Sequence, residues 1–221
     1  MRIRRRPWAK QELEECSFYI DDPTVYKGKW NSYFPDNKPI HLEIGCGKGS
    51  FIAELAFKND DVNYIAADMI EAMLGLSKRN IENRLKEKFV NSKINNIALI
   101  RMNAERILDV FDGNDVIDRI YINFCNPWPR GKHKKRRLTH SRQLDNYRVF
   151  LKEKGEIFFK TDDDELFDES LEYFENSGFE IVAKTYNLDE NLIFEDIPTE
   201  HEIMFKEQGI KIKALIARKI D

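Results

Sequence analysis

Short apolar runs alternate with longer stretches of helical periodicity along most of the chain, and this order constrains the fold more than any other feature. The short runs, bounded by turn residues, are typical of strands, whereas the longer periodic stretches are typical of helices. Seven strands are predicted, over residues 40–44, 62–67, 97–102, 117–124, 156–160, 179–185 and 210–217. Helices are predicted between them, over residues 50–57, 70–89, 104–111, 141–151 and 164–176. This alternation predicts an α/β fold with a mostly parallel sheet and helices on both faces.

Length and composition predict a single domain over residues 1–221. The length suits one α/β domain, and neither an internal repeat nor a Gly/Ser- or Pro-rich linker divides the chain. Hydrophobic residues make up 42%, which excludes global disorder. Because no apolar run reaches the length of a membrane span, and no apolar segment follows the basic N-terminus, neither a membrane anchor nor a secretory signal is expected.

The cysteines and histidines predict neither a disulfide framework nor a metal site. The three cysteines are widely spaced and form no CxxC pair. The four histidines show no metal-ligand spacing. A reducing, cytoplasmic location is therefore expected.

A glycine-rich turn follows the first predicted strand, within the segment Leu-Glu-Ile-Gly-Cys-Gly-Lys-Gly that contains Glu43, Gly45 and Gly47. Such a turn opens a helix N-terminus to a ligand, although it also occurs in ordinary strand-to-helix connections. Asp68 ends the next strand, where a carboxylate can accept both hydroxyls of a ribose, so nucleoside binding is favoured. The glycine spacing differs from the dinucleotide pattern and resembles the first motif of the class I S-adenosylmethionine-dependent methyltransferases.

Asn103 follows the third predicted strand and has two interpretations. In a methyltransferase its side-chain amide would contact the adenine edge of the cofactor. An Asn before a helix is equally typical of an N-cap. The sequence leaves both interpretations open.

The fourth predicted strand ends in Asn123-Phe124-Cys125-Asn126-Pro127-Trp128-Pro129-Arg130, the most informative segment of the chain. The two prolines stiffen the backbone around Trp128. A rigid loop with an aromatic ring and an amide, at the end of a strand, suits a planar base held by stacking and hydrogen bonds. A turn with a buried Trp is the alternative, and the predicted position beside the ligand site favours base binding.

The charge distribution indicates a nucleic-acid partner that the total charge conceals. The formal net charge is −3, which by itself argues against a nucleic-acid-binding protein. Residues 130–142, however, carry seven Lys or Arg and no acid, and residues 1–10 carry five and no acid. Residues 161–205 carry 15 acids and one lysine, so the small net charge arises because basic and acidic segments cancel each other. Clustered Lys and Arg of this kind bind phosphates.

Taken together, these motifs resemble the bacterial tRNA (guanine-N7-)-methyltransferase family. Further matches are Arg-Arg-Pro-Trp-Ala at residues 5–9, Phe-Lys-Thr-Asp at 159–162 and Thr-Glu-His-Glu at 199–202, so the resemblance covers the whole chain. It implies a Rossmann-like class I methyltransferase fold with a seven-stranded sheet, a basic N-terminal arm at about residues 1–15 and a family insertion at about residues 188–208. The implied reaction is methyl transfer from S-adenosylmethionine to N7 of the guanosine at position 46, in the variable loop of tRNA.

The resemblance also implies a role for each matching residue. Asn126 falls at the catalytic position. The cofactor-contacting positions are Glu43, Gly45, Gly47, Asp68, Asn103 and Asn126. The tRNA-contacting positions are Arg130, Asp162, Thr199, Glu200, His201 and Glu202. The chain has Asn126 where the family commonly has Asp, and Arg130 where it commonly has Lys.

Structural interpretations stay open for two of these groups. Asp162, Asp163 and Asp164 precede a predicted helix, and adjacent acids there are more typical of a helix cap than of a metal site. Thr199 and Glu202 have the spacing of a capping box, although their position in the family insertion favours a tRNA contact.

Two alternative functions remain at this point. Asn126-Pro127 also resembles the loop of amino-methyltransferases that act on nucleic-acid amines or protein amides, although the Trp-Pro order and the basic run count against it. A non-catalytic RNA-binding module would also explain the substitution at residue 126. The sequence does not decide whether the protein is a monomer or a homodimer.

Overall fold

The computed structural model describes residues 6–86, 88, 94–195 and 197–220, and these form two compact units, Met1–Asp115 and Val116–Asp221. The first unit contains α1 (Pro7–Glu14), β1 (Tyr19–Ile20), β2 (Ile40–Ile44), α2 (Ser50–Lys58), β3 (Asn63–Asp68), α3 (Glu71–Leu85) and β4 (Ile97–Arg101). The second contains β5 (Ile117–Asn123), α4 (Ser141–Phe150), β6 (Leu151–Thr161), α5 (Asp164–Asn176), β7 (Phe179–Thr185), α6 (Glu200–Glu207) and β8 (Lys213–Lys219). Short 3-10 helices cover Pro23–Tyr26, Trp30–Ser32, Ala104–Asp109 and Gly131–Arg136.

The first unit is built on four parallel strands in the order β1-β4-β3-β2. Ile44 pairs with Ala67 and Asp68 pairs with Arg101, so β2, β3 and β4 end at the same edge. Most residues of β2, β3 and β4 are apolar and buried, as expected for parallel sheet. Helices α2 and α3 pack together, and α1 packs on α3.

In the second unit the order is β5-β6-β8-β7, with β5 and β6 parallel and β8 antiparallel to both of its neighbours. Asn123 pairs with Lys160, which brings the loops after β5 and β6 to the same edge. A small apolar cluster around Leu188 and Ile212 holds the segment before α6 against β8.

The predicted α/β class and mostly parallel pairing are confirmed, and the predicted strand count was one too low. The described residues contain the seven predicted strands and, in addition, the two-residue edge strand β1. The predicted helix at 104–111 is a 3-10 helix, and part of the predicted helix end at 86–89 lies outside the described residues. Helices α1 and α6 had no sequence prediction, since α1 buries only Ala9 and Leu13, and α6 buries only Glu202, so neither has a continuous apolar stripe.

No helix among the described residues is long and apolar enough to cross a membrane.

Candidate active site

The turn after β2 is a left-handed glycine loop joined to the end of β3. The backbone N–H groups of Gly45 and Cys46 donate to the carbonyl oxygen of Ala67, at 2.8 and 3.0 Å. Gly49 has φ +72°, and a Cβ placed there would lie 2.0 Å from the hydroxyl oxygen of Ser77 on α3. Only glycine therefore allows α2 to begin so close to α3.

The two earlier glycines of this loop face open space instead. A Cβ on Gly45 or Gly47 would meet no atom within 4 Å. The backbone here is accessible at the carboxyl ends of parallel strands, which is where α/β proteins bind nucleotides. This is the region that the sequence predicted as the cofactor loop.

Asp68 fixes the glycine loop to β3. Its Oδ2 accepts the Gly47 N–H at 3.0 Å, and its Oδ1 accepts the Ile70 N–H at 2.8 Å. Burial raises the pKa of the Asp68 carboxyl, while the hydrogen bonds from these backbone groups oppose the rise. A carboxylate has about four lone-pair positions, so this one retains acceptor capacity for a ligand hydroxyl.

Glu43 and Asn103 differ in their surroundings. Glu43 lies in β2, is 2% exposed and pairs in register with Ala66. Asn103 is exposed, and its Oδ1 accepts the Glu105 N–H at 3.0 Å. Asn103 is thus an N-cap, the structural interpretation that the sequence left open, and its contact with adenine stays a prediction.

The loop after β5 contains two non-glycine residues in the left-handed region, Phe124 (φ 50°) and Trp128 (φ 44°). This conformation costs about 1–3 kcal/mol per residue and persists only where surrounding contacts enforce it. One such contact comes from Asn126, whose exposed side chain accepts the Trp128 N–H at 3.0 Å through Oδ1. The predicted catalytic side chain is therefore part of the turn that shapes its own loop.

The Trp128 ring already has intramolecular partners. The His133 ring stacks on it at 5.7 Å between centroids, with an interplanar angle of 15°, and the Arg136 guanidinium lies 5.1 Å from the Trp128 centroid. The ring therefore reinforces the fold of the loop and of the adjoining 3-10 helix, and base stacking on it stays a prediction.

The basic segment 130–142 divides into buried and exposed side chains. Lys134 and Arg137 bind carboxylates of α5, and Arg137 is 1% exposed. The other five, which we call the basic surface, are exposed: Arg130, Lys132, Lys135, Arg136 and Arg142. Only part of the predicted phosphate-binding run thus faces solvent.

The three acids after β6 have different roles. Asp163 caps α5, its Oδ1 accepting the Leu166 N–H at 2.7 Å, and Asp164 forms an ion pair with Lys213 at 2.6 Å. Asp162 is partly buried, and its backbone carbonyl accepts from Lys213 Nζ at 2.9 Å. Within the described part of the chain, no group of His, Cys, Asp and Glu could hold a metal ion.

The Thr199–Glu202 segment begins α6 as a helix cap. Thr199 Oγ1 accepts the Glu202 N–H at 3.1 Å. The Glu202 carboxylate is fully buried, and Lys160 Nζ, on β6, lies 2.7 Å from its Oε2. This buried ion pair anchors α6 to β6, and the predicted tRNA contacts of Thr199 and Glu202 stay a prediction.

The remaining two residues of that segment, Glu200 and His201, are exposed. The His201 ring stacks on Phe124 at 6.1 Å, with an interplanar angle of 24°. Since Phe124 is only two residues from Asn126, the structure brings His201 to the loop that carries the predicted catalytic residue.

The structure therefore groups the predicted residues within each unit. Gly45, Gly47, Asp68 and Asn103 lie at one strand edge of the first unit; the N–H of Met102, next to Asn103, donates to the Asp68 carbonyl at 3.0 Å. The loops carrying Asn126, Asp162 and His201 lie at one edge of the second. The predicted set lacked Met69, Lys160, Arg137 and Glu169. Met69 is exposed directly after Asp68. Lys160 lies within the Phe-Lys-Thr-Asp match and Arg137 within the basic segment, whereas Glu169 had no sequence signal.

Comparison with solved structures identifies the class of protein. The structure described as the 16S rRNA methyltransferase KamB matches with a TM-score of 0.61, over 86% of this chain and 91% of that chain, at 14% identity. The chain has the α/β fold of the class I methyltransferases.

Sequence comparison then identifies the family. The family model described as "Putative methyltransferase" matches residues 37–215. A protein of Clostridium beijerinckii named tRNA (guanine-N(7)-)-methyltransferase is 56% identical over 99% of both chains. One of the same name from Clostridium botulinum (strain Eklund 17B / Type B) is 57% identical over 100% of both. The chain belongs to the tRNA (guanine-N(7)-)-methyltransferase family, which confirms the resemblance seen in the sequence.

Replacing Glu169 with Gln should make the free energy of unfolding less dependent on pH. Burial raises the pKa of the Glu169 carboxyl, but hydrogen bonds from Lys134 and Tyr173 outweigh it, and the pKa falls from 4.5 to about 2. A carboxyl whose pKa is lower in the folded state than in the unfolded state stabilises the folded state at a pH above the unfolded pKa. This contribution disappears as the pH falls from about 4.5 toward 2.

Urea denaturation followed by circular dichroism at a series of pH values measures this effect. The wild type should lose stability more steeply than Glu169→Gln between about pH 5 and pH 3. Glu175→Gln, an exposed acid on the same helix, is the matched control and should follow the wild type. Parallel curves for Glu169→Gln and the wild type would contradict the expectation.

Proposed function

We propose that the chain transfers a methyl group from S-adenosylmethionine to N7 of a guanosine in the variable loop of tRNA, forming N7-methylguanosine. The observation that carries this proposal is the identity of 56–57% over 99% or more of both chains to relatives named for this activity. The arrangement of the glycine loop and of the Asn126 loop supports it.

The strand edge of the first unit fits S-adenosylmethionine. The open backbone at Gly45 and Gly47 leaves room for the amino-acid part of the molecule, and Asp68 has acceptor capacity for the ribose hydroxyls. Asn103 and the exposed side chain of Met69, which is 56% exposed, suit the adenine edge and face. Glu43, near the end of β2, is the remaining residue that we propose as a cofactor contact. When bound, the cofactor supplies a methyl group on a positively charged sulfur.

The target atom needs no general base. Guanine N7 carries a lone pair and no proton, so the reaction requires alignment of N7 with the methyl group rather than proton removal. The protein's part is to hold the base rigidly, and the left-handed, Pro-flanked loop around Asn126 suits that task.

Asn126 supports the reaction through its side-chain oxygen. Methylated guanine is cationic, and its N1–H and exocyclic N–H groups become better donors. The Asn126 Oδ1 already accepts one hydrogen bond, from the Trp128 N–H, and its second lone pair can accept another from the base. The role is weaker than that of a carboxylate because the amide carries no charge.

The basic surface supplies the contacts to the tRNA backbone. Its five exposed cations neutralise phosphates, and salt should weaken tRNA binding steeply. Arg130 adds specificity beside the loop, together with Asp162 and the Thr199, Glu200, His201 and Glu202 segment. Within this segment the exposure of Glu200 and His201 supports a tRNA contact, and Thr199 also caps α6.

We also propose that residues 1–221 act as one catalytic domain in the cytoplasm, with residues 1–15 as a basic tRNA-binding arm and residues 188–208 as a substrate-binding insertion. Sedimentation of the purified protein distinguishes the monomer from the homodimer.

Analysis of the product nucleoside tests the function. Unmodified tRNA is incubated with the purified protein and methyl-labelled cofactor, then digested and analysed by mass spectrometry. N7-methylguanosine is expected, and a transcript with adenosine at the variable-loop position should give none. A methylated exocyclic amine would establish the amino-methyltransferase alternative, and tRNA binding without any product would establish the RNA-binding module.

Replacing Asn126 with Asp should leave the methylation rate unchanged or raise it, by up to about fivefold, since a charged acceptor is worth about 1 kcal/mol more than a neutral one. The carboxylate also keeps the acceptor for the Trp128 N–H. Single-turnover rates at saturating tRNA and cofactor measure the effect. Asn126→Ala is the control; it loses both acceptor functions and should slow the reaction. A large loss in Asn126→Asp would show that the amide has a role of its own.

A further inference from the structure

Arg137 differs from the other arginines of the basic segment because its side chain is buried. It is 1% exposed, whereas Arg130, Arg136 and Arg142 are exposed. A guanidinium in this position cannot reach a phosphate without leaving its present contacts.

Those contacts join the Asn126 loop to helix α5. Arg137 Nη1 donates to Glu169 Oε2 at 2.7 Å, and Nη2 donates to Glu165 Oε1 at 3.3 Å. Arg137 Nε donates to the carbonyl oxygen of Pro127 at 2.6 Å. The planar fork of the guanidinium therefore fixes one carbonyl of the loop relative to a helix.

The Pro127 carbonyl belongs to the same peptide group as the Trp128 N–H. This N–H donates to Asn126 Oδ1 at 3.0 Å. A peptide group is planar, so fixing its oxygen also fixes the direction of its N–H. Arg137 at one end and the Asn126 side chain at the other thus hold opposite ends of one rigid plane.

The neighbouring backbone makes this restraint necessary. Phe124 and Trp128, on either side of Asn126, have positive φ angles, a strained conformation that persists only where surrounding contacts enforce it. Without the restraint on the Pro127 carbonyl, the peptide between Pro127 and Trp128 loses one of the two hydrogen bonds that fix its plane. The Asn126 side chain would then lose the donor that orients it.

We propose that Arg137 is a positioning residue, which orients the Asn126 side chain toward the base through the Pro127–Trp128 peptide. This inference rests on the proposed function of Asn126. It removes Arg137 from the set of phosphate contacts and gives the reaction a residue that acts without touching the tRNA.

Two substitutions of Arg137 separate the donor from the charge. In Arg137→Gln, the side-chain Nε2 takes the position of the arginine Nε, so the donor to Pro127 is retained and the charge is lost. In Arg137→Lys, a methylene takes that position, so the charge is retained and the donor is displaced. A positioning residue needs the donor, whereas a phosphate contact needs the charge.

Single-turnover formation of N7-methylguanosine at saturating tRNA is the main measurement. Arg137→Lys should react about tenfold or more slowly than the wild type, because a small misplacement of a catalytic group costs up to about 100-fold. Arg137→Gln keeps the donor to Pro127 but loses the contacts to Glu165 and Glu169, so it should be slowed less than Arg137→Lys. Both variants should bind tRNA within about twofold of the wild type, with an unchanged slope of log Kd against log salt. A rate for Arg137→Lys equal to or above that of Arg137→Gln would overturn the proposal.

The salt dependence of tRNA binding tests independently whether Arg137 contacts a phosphate. Lys135→Met, which removes an exposed cation of the basic surface, should weaken tRNA binding and reduce the slope by about 0.7–0.9. The same reduction in Arg137→Gln would make Arg137 a phosphate contact and refute its positioning role.

Rates are normalised to the cofactor-binding stoichiometry from calorimetry, so that loss of folded protein is not mistaken for a slow reaction. The wild type in the same assay tests the proposed function separately. If it formed no N7-methylguanosine, the proposed function would fail and this proposal with it. If it did and the two variants reversed their order, only the role of Arg137 would fail.

Discussion

The positions of the candidate site residues in each unit depend on the parallel pairing of the strands and on its register. Strands β2, β3 and β4 run in the same direction and their last residues pair, so the loops that follow them share one edge. The Asp68 carboxylate then connects these loops, because it accepts from the glycine loop and from the backbone that leads into α3. A residue suited to bind a ribose therefore also maintains the shape of the loop beside it.

The Asn126 loop of the second unit shows the same double use of side chains. Its left-handed backbone is held by a side-chain acceptor, a stacked indole and a buried arginine. The buried pair between Lys160 and Glu202 anchors α6, and the ring of His201 reaches this loop from there. Rigidity of this kind is what a reaction limited by alignment requires.

Much of the fold could be predicted from the sequence, since the seven predicted strands and the helices between them have distinct periodicities. Helices α1 and α6 were missed because they bury few apolar residues, and strand β1 was missed because two residues carry too little pattern. Asp68 was singled out because a carboxylate at a strand end can accept the hydroxyls of a ribose, and its contact with a ribose stays a prediction. The role of Asn103 could not be decided from the sequence, because a helix cap and a contact with a base both use the side-chain amide.

The burial of Arg137 could not be predicted at all. Its sequence neighbours are cations that face solvent, and its partners, Glu165 and Glu169, lie about thirty residues further along the chain. A run of like charge does not reveal which member meets a distant carboxylate when the chain folds. The same holds for Lys160, whose partner Glu202 lies in a helix with no strong periodicity.

The central claim is that this protein aligns guanine N7 with the methyl group and that the reaction needs no general base. The most direct test is the single-turnover rate constant at saturating tRNA and cofactor, measured from about pH 6 to pH 9. Alignment alone predicts a rate constant that changes by less than about threefold over this range. A rate constant that rises about tenfold per pH unit before levelling would show that a general base takes part, and would contradict the account.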